Sequence, residues 1–278
     1  MVAKRMLALA ISMAYFAVQE IHDAIRRLRS RPGEPPPLVV LTYHAVPESD
    51  AGQFEAQMRD LKALADQVFA DGTGGCANAR RAAVTFDDGF QSVFDNALPI
   101  MANLDIPATL FVPTGYLAGA PGWIPAVRRQ RGSSGIVASA ATLASSNSRL
   151  VKIGSHTVTH PHLPSQPGDA LQAELAGSKR ELEEITGAPV TILSFPYGSF
   201  DDRVLEAASA AGYRRLFANV PVMPRSQDGA QLVGRINVSP RDWRVEFRLK
   251  VRGAYDWMAV AVTAKRAITA SLKWAICA

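Results

Sequence analysis

Cysteine and long apolar runs are scarce in this chain of 278 residues. Only Cys76 and Cys277 are present, so neither a disulfide framework nor a cysteine-rich zinc knuckle is available. Charged residues make up 20% and apolar residues 48%, a balance that excludes disorder, and no internal repeat is evident. The chain is therefore predicted to form one globular domain with short appendages.

The net charge of +5 is concentrated at the two ends of the chain. Residues 1–32 hold six Lys/Arg against two acids and residues 241–278 hold eight against three, which leaves −4 for residues 33–240. Nucleic-acid binding needs a basic stripe on the folded body, so the acidic centre argues against that partner. We expect three parts: a helix in 1–32, a folded domain in 38–240 and a basic extension in 241–278.

The N-terminal part is a candidate for membrane association. Its apolar run, residues 6–18, is shorter than the about 20 residues that a spanning helix needs. Four arginines among apolar residues follow between positions 26 and 31, which suits a helix on an anionic membrane surface. An uncleaved export signal explains the run equally well. The C-terminal extension suits either packing on the domain or a second membrane contact. The two ends together predict a membrane-associated or extracytoplasmic location.

From residue 38 onward, short apolar runs alternate with amphipathic helical patterns. Roughly seven alternations indicate parallel strands joined by right-handed crossovers, and the predicted fold is an α/β, irregular parallel (β/α)7 barrel. Residues 113–150 break this rhythm and are predicted to form a rim or lid. The predicted strands are Leu38–Tyr43, Ala82–Phe86, Ala108–Val112, Val151–Ser155, Thr191–Phe195, Arg214–Ala218 and Leu232–Val238.

Polar side chains follow four of these strands: His44, Asp87 with Asp88, His156, and Tyr197. In a parallel barrel the carboxyl ends of the strands share one rim, where active sites are built. Four distant stretches of chain are therefore expected to converge there.

Asp88, His156 and His160 are a candidate metal site. Two imidazoles and one carboxylate leave a coordination position open, as catalytic zinc requires, although other first-row ions bind similar sites. The i, i+4 spacing of the histidines places both rings on one side of a turn, and Pro161 disfavours a longer helix. Two polar loop histidines would be the simpler explanation, as would an Asp87–Asp88 pair that caps a helix.

Asp87 and Asp88 are adjacent at a strand end, so their side chains point in different directions. One carboxylate can bind metal while the other stays free as a base. That division of labour is what metal-assisted hydrolysis of a carbonyl compound needs.

Three segments resemble, in order, the motifs of the polysaccharide deacetylases of carbohydrate esterase family four: Thr85–Gly89, His156–His160 and Phe195–Gly198. The likeness covers roughly residues 38–240. It implies that Asp87 is the catalytic base and that Asp88, His156 and His160 hold a divalent metal, with zinc the best match. It also implies that the backbone N–H of Tyr197, after Pro196, stabilises the oxyanion of a bound substrate.

Two positions depart from the family pattern. Ser194 stands where the family often has an arginine that orients the base, and no histidine follows His162, although the family's last motif supplies one as general acid. Arg235 is expected to replace the missing positive charge near Asp87. His44 is expected to replace the acid, with a structural hydrogen bond to the rim as its alternative role.

The resemblance implies a metal-dependent hydrolase that removes N-acetyl groups from N-acetylhexosamine units of an acetylated polysaccharide or oligosaccharide. An O-acetyl esterase acting on xylan-like substrates needs the same metal and base but a less demanding acid. The absent late histidine and the basic ends also suit a catalytically silent glycan-binding module at a membrane.

Overall fold

The computed structural model describes most of the chain, namely residues 2–29, 37–74, 80–125, 135–146, 148–222, 225–227 and 229–261. Residues 30–36, between the N-terminal helix and the predicted domain, and residues 262–278 of the C-terminal extension lie outside the described residues. The division of the chain at residues 32, 38 and 240 stays a prediction.

Helices and strands alternate along the described chain. The helices are α1 Val2–Arg29, α2 Ala51–Leu64, α3 Leu98–Asn103, α4 Ala140–Ser146, α5 Gly168–Thr186, α6 Asp202–Ala210 and α7 Arg244–Val251. The strands are β1 Leu38–Tyr43, β2 Asp66–Gln67, β3 Arg81–Phe86, β4 Ala108–Val112, β5 Val151–Ser155, β6 Ile192–Ser194, β7 Arg215–Phe217, β8 Arg225–Gln227, β9 Ala230–Val233 and β10 Ile236–Asn237.

The strands form one sheet in the order β10-β1-β3-β4-β5-β6-β7-β9-β8, with β2 paired to the start of β3. All the pairs are parallel except β8 with β9. The sheet curls into a half-barrel with flanking helices, which confirms the predicted parallel α/β barrel class.

Side-chain alternation along the strands creates two buried layers. Residues such as Leu41, Val84 and Leu110 pack against the helices in a large outer cluster. A smaller cluster takes one or two residues from each of several strands and lies on the other, concave side of the sheet: Val40, Ala83, Phe111, Ile192 and Phe217, with Val68 and Ala70. Because side chains in a strand point alternately to opposite faces, Thr85 and Asp87 continue the row that Ala83 begins and face the barrel interior.

The predicted strand Leu232–Val238 is in fact two strands. Its first part, β9, pairs with β7, whereas its second part, β10, pairs with β1 at the other end of the sheet. The break falls at Gly234 and Arg235. A Cβ at position 234 would lie 2.3 Å from the backbone nitrogen of Val222, so this close approach of two backbones requires glycine.

The described parts of segment 113–150 lie at the rim of the sheet. The backbone N–H of Thr114 donates to the carbonyl of Thr157 at 3.1 Å, and that of Ala138 donates to Gly89 at 2.9 Å. The segment is therefore hydrogen-bonded to the loops that follow β3 and β5.

Helix α1 lies against α7. The Arg5 guanidinium contacts the Glu246 carboxylate at 2.6 Å, and the indole N–H of Trp257 donates to Ser12 Oγ at 3.0 Å. Within the described residues, no helix has both the length and the apolar character needed to cross a bilayer.

Candidate active site

Asp87 and Asp88 leave the end of β3 in different directions. Asp87 faces the barrel interior, whereas Asp88 and Gly89 both adopt left-handed backbone conformations, with φ of 70° and 59°. A Cβ at Gly89 would lie 3.0 Å from a methyl carbon of Val112, so glycine fits both the turn and the space. The turn separates the two carboxylates, as the sequence predicts.

Left-handed conformations are concentrated around this rim. Six described residues other than glycine have a positive φ, and four of them are Asp88, Thr157, His160 and Tyr197. Such conformations cost free energy and persist where the surrounding structure enforces them, which is common at active sites.

A bidentate ion pair holds Asp87. Arg235 Nη1 donates to Oδ1 and Nη2 donates to Oδ2, both at 2.7 Å, and neither side chain is more than 2% exposed. Ser194 Oγ lies 3.2 Å from Oδ2 and accepts a second hydrogen bond from Arg235 Nη2 at 2.7 Å. The structure therefore places Arg235 beside Asp87, and Ser194 joins the same network.

The Arg235 guanidinium is itself fixed on several sides. Its Nε donates to the carbonyl of Ala218 at 2.9 Å, and Nη1 also donates to Thr85 Oγ1 at 3.2 Å. The ring of Phe111 lies 5.2 Å from the guanidinium carbon. Burial alone would raise the pKa of Asp87, but the charge and hydrogen bonds of Arg235 hold that pKa well below its usual value. Asp87 is thus an ionised carboxylate in a fixed orientation.

Asp88, His156 and His160 converge beside this ion pair. One ligand atom from each residue lies within 4.8 Å of the other two, and all three residues are buried. Asp88 Oδ1 is 3.6 Å from His156 Nε2 and 3.5 Å from His160 Nε2. The structure brings together the three ligands that the sequence predicts.

Protonation states in this cluster suit a cation. Burial and the negative charge of Asp87 raise the pKa of Asp88 to about 8, whereas burial lowers the pKa of His156 to about 4 and also lowers that of His160. Neutral imidazoles offer lone pairs, and the buried carboxylate is stabilised by a positive ion. The donor set therefore fits a divalent metal of the zinc type.

The two histidines are oriented by different means. His156 Nδ1 lies 2.8 Å from the carbonyl of Ser194, so it carries the proton and leaves the lone pair on Nε2, facing Asp88. His160 Nδ1 is buried and has no hydrogen-bond partner within the part of the chain that the structure describes. Its ring instead stacks on Trp123, with centroids 4.3 Å apart and an interplanar angle of 19°.

Two contacts made by the loop that carries the histidines, residues 156–160, are not expected from the sequence. Trp123 lies in the aperiodic segment 113–150, which offers no pattern that pairs it with His160. Glu174 on α5 accepts hydrogen bonds from the backbone N–H groups of Val158 and Thr159, at 2.8 and 2.9 Å, and so fixes the loop between the histidines. One polar residue in an amphipathic helix gives no signal for that contact.

Tyr197, in the turn after β6, borders the cluster of Asp88, His156 and His160. It follows Pro196, its φ is 57°, its side chain is 44% exposed, and its ring meets that of His160 edge-on with centroids 4.6 Å apart. The His162 ring stacks on the Tyr197 ring, with centroids 4.1 Å apart. His162 is not one of the three residues of the Asp88, His156 and His160 cluster.

His44 lies next to Asp87 along the rim. The registers of β1 and β3 align Tyr43 with Phe86, and the backbone N–H of Asp87 donates to the carbonyl of Tyr43 at 3.0 Å. Desolvation in the cleft lowers the pKa of His44; the charge of Asp87 opposes this shift and that of Arg235 adds to it. His44 therefore lies at the carboxyl end of the sheet beside Asp87, where the residue is exposed.

The chain belongs to the polysaccharide deacetylase family, whose model matches residues 74–216. It is 23% identical over 219 residues to the putative polysaccharide deacetylase YxkH of Bacillus subtilis, an alignment covering 74% of this chain and 73% of the relative. It is also 23% identical over 177 residues to the peptidoglycan-N-acetylmuramic acid deacetylase PdaA of the same organism, covering 63% of this chain and 53% of that protein.

Solved structures share the fold. IcaB from Ammonifex degensii superimposes with a TM-score of 0.62 at 22% identity, covering 80% of this chain and 98% of IcaB. The Streptococcus pyogenes deacetylase PplD, solved in complex with acetate, gives a TM-score of 0.60 at 19% identity over 75% of this chain and 95% of PplD. These structures confirm the fold, and the match to the family model confirms the predicted family membership.

Proposed function

We propose that this protein is a metal-dependent hydrolase that removes acetyl groups from the N-acetylhexosamine units of a polysaccharide. The observation that carries the proposal is the pairing of two adjacent carboxylates in different roles. Asp88 joins His156 and His160 in a cation-binding cluster, while Asp87 is held outside that cluster by Arg235. Membership of a deacetylase family supports the same class of reaction.

Asp88, His156 and His160 would hold the metal, most suitably zinc. When bound, a divalent ion supplies Lewis acidity toward a water molecule and an acyl carbonyl. Asp87, ionised and fixed by Arg235, accepts the proton that an attacking water loses. The backbone N–H of Tyr197 stabilises negative charge on the acyl oxygen, and Pro196 fixes the turn that presents it.

His44 is the proton donor in this proposal. Cleavage of an amide releases an amine, a poor leaving group unless it is protonated as the bond breaks. His44 is the histidine beside Asp87 on the rim, and its charge interacts with both Asp87 and Arg235. No histidine occurs after His162, so the last strands offer no histidine for this role.

The test is metal-dependent acetate release by the purified protein. Metal is first removed with a chelator, and zinc is then returned in the presence of N-acetylglucosamine oligosaccharides, peptidoglycan or acetylated xylan. We expect zinc to restore acetate release from the N-acetylated substrates. Asp88→Asn and His156→Ala should each reduce the release by about a hundredfold or more.

Asp105→Asn is the matched control for Asp88→Asn. It makes the same chemical change at an aspartate whose side chain is 64% exposed, and it should leave activity unchanged. Release from acetylated xylan alone would identify an O-acetyl esterase instead. Absence of metal-dependent acetate release from every substrate, with no tightly bound metal, would favour a silent glycan-binding module and overturn the proposal.

A further inference from the structure

The two faces of α1 differ in what they contact. Its inner face contacts the C-terminal extension: Arg5 pairs with Glu246, and the Arg5 guanidinium carbon lies 4.3 Å from the centre of the Trp243 ring. About two turns further on, Ser12 is fully buried and accepts the Trp257 hydrogen bond. These specific polar contacts fix which side of the helix faces the protein.

The opposite face of α1 is apolar and exposed. Large side chains remain open to solvent over four turns of helix, with Leu7 at 62% and Val18 at 66% exposure. Lys4 is the one charged residue on this face among the described side chains. The exposed apolar residues are Ala3, Met6, Leu7, Ala10, Ile11, Met13, Ala14, Ala17 and Val18. A continuous patch of this kind marks an interaction surface.

We propose that this face of α1 lies in the headgroup region of an anionic lipid bilayer, with the helix parallel to the membrane plane. An amphipathic helix in that position buries its apolar face about 5–10 Å into the boundary between headgroups and acyl chains. The inner face keeps its contacts with α7 and Trp257, so the domain is carried on the surface. The inference is independent of the proposed function.

The positive charge of the N-terminal segment favours an anionic lipid surface over a second copy of the chain as the partner of the exposed face of α1. The first 32 residues carry +4, with the exposed Lys4 near one end of α1 and Arg26, Arg27 and Arg29 near the other. Two copies of α1 packed face to face would bring basic ends together in either orientation. Anionic headgroups neutralise the same charges, each basic residue near the surface adding to the attraction.

Vesicle sedimentation with the full-length protein tests the proposal. We expect it to bind phosphatidylcholine vesicles that contain about 30% phosphatidylglycerol and to bind pure phosphatidylcholine vesicles more weakly, with the difference reduced by salt. The double variant Leu7→Glu/Met13→Glu should lower the partition coefficient roughly tenfold or more, because two exposed apolar side chains become charged.

Ile136→Glu is the matched control, since it places the same charge at an apolar side chain that is 51% exposed and outside α1. It should bind vesicles like the wild type. Circular dichroism of both variants checks that helix content and Tm are retained. The proposal is overturned if wild type fails to bind anionic vesicles, or if the double variant binds as well as wild type. A wild-type dimer in light scattering that the double variant dissociates, without vesicle binding, would show that a second copy covers this face.

Discussion

Asp87 receives its positive partner from the far end of the domain sequence. Ser194 occupies the position on β6 where the family resemblance leads one to expect an arginine, and its uncharged hydroxyl cannot neutralise a carboxylate. Arg235 reaches Asp87 from the break between β9 and β10 instead, and Ser194 Oγ bridges the two side chains. An arginine from a different part of the sheet therefore supplies the positive charge beside Asp87.

Arg235→Gln tests whether this pairing sets the ionisation of the base. Without the guanidinium, burial is no longer offset and the pKa of Asp87 rises. Because Asp87 must be ionised to accept a proton, the acid limb of the kcat/KM profile should move to higher pH. We expect kcat/KM to fall by about a hundredfold, and the unfolding free energy to fall by about 3–5 kcal/mol through the unpaired buried charge.

The double variant Ser194→Arg/Arg235→Ser tests whether an arginine at position 194 can orient Asp87 in place of Arg235. It returns an arginine to the family's position and a small side chain to the β9–β10 break. Partial recovery of the pH profile is expected. An acid limb that stays unmoved in Arg235→Gln would rule out control of the base by this residue.

His44→Gln tests the proton donor. Hydrolysis of the N-acetyl amide should fall by roughly a hundredfold or more, because the amine leaves unprotonated. Hydrolysis of an aryl acetate, whose phenolate leaves without protonation, should change little. Steady-state rates with both substrates give the comparison, and equal losses on the two would assign His44 a structural role at the rim.

At the scale of strands and helices, the apolar runs were sufficient to predict the core strands and the parallel barrel. Strands β1, β3 and β4 are buried at nearly every position, as their continuous apolar runs predict, and the polar residues that follow β1 and β3 lie at the rim. The break at Gly234 could not be predicted, because its cause is the approach of Val222, a contact between separate segments. The stacking of Trp123 on His160 depends likewise on where an aperiodic loop folds.

Gly234→Ala tests the requirement for close approach at this break. The added methyl meets backbone atoms that cannot rotate away, so β9 and β10 must shift and carry Arg235 with them. We expect a loss of about 1–3 kcal/mol in unfolding free energy together with reduced kcat/KM.

Gly52→Ala is the comparison for that substitution, since position 52 lies in α2 and has nothing within 4 Å of an added Cβ. It should be neutral or slightly stabilising. Equal stability of Gly234→Ala and Gly52→Ala would show that the break tolerates a side chain.

At the scale of the whole molecule, the cluster of Asp88, His156 and His160 joins the ends of β3 and β5, which are separated in the sheet by β4. A ligand that binds only the folded state raises its stability by mass action. Zinc at about 100 times its Kd should therefore raise the Tm of the metal-free protein by roughly 5–10 °C. Differential scanning fluorimetry measures the shift, which Asp88→Asn should abolish and Asp105→Asn should keep.

The position of Arg235 has a practical consequence for anyone who trims this chain. The family match ends at residue 216, and all three recognisable motifs lie before that point. A fragment cut there retains the three proposed metal ligands and the proposed base, yet leaves the Asp87 carboxylate without its counter-charge. Expression boundaries chosen from motif searches would remove Arg235 together with β8, β9 and β10, so inactivity of such a fragment would not show that the full chain is silent.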